Sequence, residues 1–214
     1  MPCLSTDIDR HTIEVNALDS NAVYPETCKL THKHSIVPPT PLMSYKARYP
    51  YLHALSRTEG KTYLFDLEAG RLVREFNLMT DPEPFYVELD QWSLFLAGST
   101  LSVIDRKNAS RHDLITPDFD GQHDIWSTRF TAIHHSLDSR HLLAAGDANE
   151  LVWIRDYRDI LEATGPGVDQ EVLARNAVIL RLESDAGEVM VENLCVENDR
   201  GGLSLSLGFD TYLF

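Results

Sequence analysis

The sequence predicts an all-β protein of repeated, stacked antiparallel sheets, and three observations predict it. The first is an echo. Thr62-Tyr-Leu-Phe-Asp-Leu67, Leu101-Ser-Val-Ile-Asp105 and Leu151-Val-Trp-Ile-Arg155 each carry an alternating apolar run to a polar residue, and Thr211-Tyr-Leu-Phe214 begins the same way. The second is spacing: Asp90 precedes Gly98 by eight positions, and Asp138 precedes Gly146 by the same eight. The third is punctuation, since turn residues separate short apolar runs of strand length. Degenerate self-similarity of this kind marks units that cannot bury their own faces and must stack on neighbours.

Taken in order, residues 1–40 are polar and broken by Pro25, Pro38 and Pro39, with strand-like pieces only at 11–16 and 29–37. They read as a loosely ordered lead-in, and the repeat region spans 42–214. The first unit, 42–79, places strands at 51–56, 62–67 and 72–76. Gly70 sits in its second turn, where a tight hairpin needs positive φ. The second unit, 84–116, repeats this with strands at 85–89, 93–97, 101–104 and 111–115. The third, 129–184, has strands at 130–136, 141–145 and 150–154, a short helix over 156–163 ended by Gly165-Pro-Gly167, and a strand at 177–182. The fourth, 188–214, has strands at 189–196, 203–207 and 211–214 and no outer strand after them. Phe65, Ile104, Ile154 and Phe214 are separated by 39, 50 and 60 residues, and the growth falls in the connections. Insertions on a regular frame sit on a face that partners reach.

Ser136-Leu-Asp-Ser-Arg-His-Leu-Leu-Ala-Ala-Gly146, followed by Glu150-Leu-Val-Trp-Ile-Arg155, resembles the second and third strands of a WD-repeat β-propeller. Asp138 falls in the turn of that family's structural aspartate, and Phe65-Asp66 and Ile104-Asp105 fall where its Trp-Asp pair stands. The chain departs from the family in having no Trp followed by Asp and no opening glycine-histidine pair; a quinoprotein-like propeller matches the same pattern. The resemblance implies a β-propeller or partial propeller of three to four four-stranded antiparallel blades, the last incomplete. It implies also that the strand within 29–37 completes the last blade, or that an open blade edge favours self-association.

The balance of 33 acidic against 19 basic residues gives a formal charge of -14, which repels phosphate backbones and anionic lipid. No nucleic acid and no membrane are expected among the partners. Cys3, Cys28 and Cys195 form neither a metal-type pair nor a disulfide framework. Residues 1–20 lack the apolar core of a signal peptide. The expected location is intracellular, cytoplasmic or nuclear, and the Asn108-Ala-Ser110 sequon reads as a chance match.

Enzyme signatures are missing: there is no Gly-x-Ser-x-Gly elbow, no phosphate-binding glycine loop and no His-Glu-x-x-His. His32 and His34 share a strand face without a third ligand; His134, His135 and His141 read as capping or surface residues. Residues 118–124 start like a calcium loop but mismatch it at positions six and twelve, the latter being Arg129. No catalytic residue, metal or cofactor is assigned. Trp126, Trp153, Arg155, Tyr157 and Arg158 combine the aromatic and arginine types of interface hot spots, and they are the candidate protein-interaction residues. The expected function is a non-catalytic protein-interaction scaffold, in a narrower form a substrate-recognition propeller for a ubiquitin ligase. The alternative is a propeller hydrolase or quinoprotein-like enzyme, which requires His and carboxylate groups converging in a central channel.

Overall fold

The computed structural model describes residues 2–7, 12–18, 30–78, 84–115, 129–136, 140–146, 150–164, 170–181, 191–197, 202–207 and 210–213. They divide into two compact units, Met1–Met79 and Thr80–Phe214. No described helix is long and apolar enough to cross a membrane.

The first unit opens with β1 (Pro2–Asp7), β2 (Thr12–Leu18) and β3 (Leu30–Ile36), which pair antiparallel in that order. The described parts of residues 1–40, read from sequence as a lead-in with two strand-like pieces, form a three-stranded sheet. The signal was weak because, among the side chains described, Ile13, Val15 and Ile36 are its buried apolar residues, too few to write a long alternating run. The strand within 29–37 is paired to β2, with Ile36 opposite Ile13. The next sheet is β4 (Leu42–Arg48), β5 (Tyr51–Ser56), β6 (Lys61–Asp66) and β7 (Arg71–Asn77), again in chain order. Ile13, Val15 and Ile36 pack with Leu52, Ala54, Tyr63 and Phe65 in one core.

The second unit continues the pattern. β8 (Tyr86–Leu89), β9 (Ser93–Ala97), β10 (Leu101–Asp105) and β11 (Arg111–Ile115) form one four-stranded sheet. β12 (Phe130–His135), β13 (His141–Gly146), β14 (Glu150–Arg155) and β15 (Ala177–Arg181) form the next. β16 (Val191–Glu197), β17 (Gly202–Leu207) and β18 (Asp210–Leu213) form a three-stranded sheet. Two helices, α1 (Tyr157–Thr164) and α2 (Gln170–Asn176), are inserted between β14 and β15.

Every residue of β9 is buried, on both faces of the strand. A strand buried on both faces needs a neighbour on each side, which is what stacked sheets supply. β12 packs against β8 and β9 of the preceding sheet and against β16 of the following one. First strands therefore lie beside first strands, the radial geometry of propeller blades. Phe95, Val103, Leu142, Val152 and Ile154 fill the core of this unit, and Tyr157 and Ile160 of α1 join it.

The blades share a turn device. Asp66 Oδ1 accepts from the backbone N–H groups of Glu68 and Ala69, both at 2.9 Å. Asp105 Oδ1 accepts from Lys107 at 2.7 Å and Asn108 at 3.0 Å. These aspartates close the third strand of their blades, the position matched to the second residue of the Trp-Asp pair. Four residues further on the backbone turns left-handed at Gly70 (φ 63) and Ala109 (φ 64). The third blade has Arg155 at that position, and the chain leaves the hairpin for α1.

Candidate interaction surface

Asp90 lies in the turn between β8 and β9. Its Oδ1 accepts from the backbone N–H groups of Trp92 at 2.7 Å and Ser93 at 2.5 Å, a local Asx-type closure. Its Oδ2 accepts from the Tyr157 hydroxyl at 2.5 Å. Both residues are fully buried, so this bond fastens α1 of the third blade to the turn of the second. The Tyr157 ring meets Phe95 edge-on, with centroids 5.5 Å apart at 79°. Asp156, just before the helix, is left-handed (φ 49), and its Oδ1 accepts from Arg140 Nε and Nη2. The helix start is thus held from two blades.

Beyond this anchor the surface opens. Trp92 is 50% exposed, and the Arg158 guanidinium lies 5.0 Å from its ring centroid. Arg158 also pairs with Glu162 at 3.5 Å, one helical turn on. A cleft of about 410 Å³ separates the Leu161 and Glu162 side of α1 from the β10–β11 hairpin of the second blade.

Of the five residues expected to make contacts, Arg158 lies at this surface and Arg155 is exposed at the end of β14. Trp153 is half-buried, with its ring against His141 at 5.6 Å and its Nε1 donating to His141 Nδ1 at 3.4 Å. Tyr157 is corrected from contact residue to anchor, because burial removes it from any partner's reach. Trp126 and residues 118–124 lie outside the described residues, as does Asp138. In the third blade Ser136 Oγ accepts from the N–H groups of Arg140 and His141.

His135 departs from the expected capping or surface role. It is buried, its Nε2 lies 2.6 Å from Leu89 O, and its ring is 5.8 Å from Phe95, so it joins the second and third blades. Among the described residues no group of three or more His, Cys, Asp or Glu is placed to hold a metal ion.

Trp92 escaped sequence reasoning because an aromatic beside a turn Asp reads as core. Its signal was position, in the short turn between β8 and β9. The first unit carries a second exposed set, Met43, Tyr45 and Tyr49, on or just after β4.

The described residues form three four-stranded and two three-stranded antiparallel sheets, the all-β architecture of a β-propeller or partial propeller. No protein-family model matches the chain, and no curated protein matches it in sequence. Among solved structures, the β-propeller domain of Myceliophteria thermophila Cps50 (Swd1) is similar, with a TM-score of 0.59 at 14% identity. That likeness covers 96% of this chain and 62% of that domain, and at this identity it shows the fold alone. The chain therefore spans less than two thirds of the propeller it matches.

Proposed function

We propose that the chain is a non-catalytic protein-interaction scaffold whose contact surface is the exposed side of α1 together with Trp92. The observation that carries this reading is the anchor. A helix inserted into one blade is fastened to the next through Tyr157 and Asp90, while Trp92 and Arg158 are left half-open above it. Aromatic and arginine side chains dominate interface energetics, and an aromatic ring loses little conformational freedom on binding. Stacked blades add the stiffness that keeps such a surface preorganised. Recruitment of a target to a ubiquitin ligase is a narrower form of the same reading, and it predicts a ligase subunit among the partners.

The test is quantitative affinity capture from cell extract with the intact chain and with the Trp92→Ala/Arg158→Ala variant. A defined set of proteins retained by the first and depleted from the second supports the reading. Identical capture by both, or no specific capture, overturns it.

A further inference from the structure

The cleft beside α1 has a chemistry of its own. Val103, Asp105, Asn108 and His112 form the blade side, and Leu161 and Glu162 form the helix side. Its volume of about 410 Å³ lies within the roughly 300–1,000 Å³ range of ligand sites. Among the described residues two carboxylates line it, and no lysine or arginine does. We propose that this cleft receives a lysine or arginine side chain from a peptide segment of the partner; the inference rests on the scaffold reading above.

Each part of the lining suits such a group. Leu161 offers apolar surface to the aliphatic stem, which long basic side chains bury while their heads stay in polar surroundings, and Val103 backs the floor from the core. Asp105 is oriented before any ligand arrives, because the Lys107 and Asn108 N–H groups hold its Oδ1. Glu162 is 72% exposed, and its pair with Arg158 at 3.5 Å is of the weak surface kind, open to exchange for an incoming cation. His112 Nε2 lies 3.1 Å from Ser110 Oγ, while its buried Nδ1 has no hydrogen-bond partner among the described residues. The formal charge of -14 draws basic segments toward the protein before they dock.

The same net charge attracts any basic peptide, so the experiment must separate the cleft from the general field. Short labelled lysine-containing peptides, with neutral and glutamate-containing versions of the same sequence, are titrated into the intact chain at fixed ionic strength and followed by anisotropy. The Asp105→Asn/Glu162→Gln variant removes both charges while Asn keeps the acceptor that closes the turn. The Glu68→Gln/Glu75→Gln variant removes the same number of charges from the first unit. The lysine peptide is expected to bind about tenfold tighter than the neutral one, and the cleft variant to lose at least about fivefold, the combined loss of two surface ion pairs. The first-unit variant should lose less than about twofold, as screened charges do. Saturating lysine peptide should also shift the His112 ring resonances. Equal losses in both variants, absence of lysine preference, or an unmoved His112 signal overturns the proposal. If the cleft variant still captures the same proteins from extract, the cation site fails while the scaffold reading stands.

Discussion

The Tyr157 hydroxyl donates to Asp90 Oδ2 at 2.5 Å, joining the first turn of the inserted helix to the β8–β9 turn of the blade before it. The same carboxyl closes its own turn through Oδ1, so one buried side chain holds both a loop and its neighbour. Removing only the hydroxyl, in Tyr157→Phe, keeps the Phe95 contact but leaves a buried oxygen without its donor. The expected cost is about 1–3 kcal/mol. Denaturant unfolding of Tyr157→Phe, Asp90→Asn and the double variant should show the two sites coupled by about 0.5–3 kcal/mol. Additive losses would mean that the bond contributes nothing.

Gly70 and Ala109 occupy the same left-handed position, four residues after Asp66 and Asp105. Alanine there carries strain of roughly 1–2 kcal/mol that glycine avoids, partly offset by glycine's greater freedom when unfolded. Ala109→Gly should therefore raise stability by about 0.5–1 kcal/mol in denaturant unfolding. Gly70→Ala should lower it by about 1–3 kcal/mol, since the added Cβ also meets the His34 ring. That approach is 2.8 Å from His34 Cδ2. A neutral Gly70→Ala would contradict the close packing of β3 on this turn.

The Glu75 carboxylate, hydrogen-bonded at 3.0 Å, raises the Lys61 ammonium above its ordinary value of 10.5; desolvation opposes this, and Glu59 at 3.5 Å adds to it. A raised basic group stabilises fully below its unfolded value and loses that contribution as pH climbs through the folded one. Lys61→Met should therefore be less stable than the parent at neutral pH, and the gap should close above about pH 10.5. Stability measured across the alkaline range checks the sign, and a gap that widens with pH would contradict it.

The fold was legible where the repeat leaves chemistry on the strand. Phe65-Asp66 and Ile104-Asp105 announce a buried third strand ending in a turn-closing carboxylate, and both do so in space. β4 was not legible because Met43, Tyr45 and Ala47 are its exposed positions, so its apolar residues alternate on the side that sequence reasoning expects to be polar. α2 was missed because seven residues are too short for a helical period to show. The candidate surface was half legible. Composition pointed to Arg158, but no pattern in one sequence says that Tyr157 faces Asp90 across 67 residues. That pairing exists only once the blades stack.

The most direct test of the account is hydrogen exchange of the intact chain, alone and with a partner recovered by capture. Rigid display from the α1 shelf predicts new protection at Trp92, along Tyr157–Thr164 and in the hairpin between β10 and β11. Protection confined to the exposed side of β4, around Met43, Tyr45 and Tyr49, would contradict it.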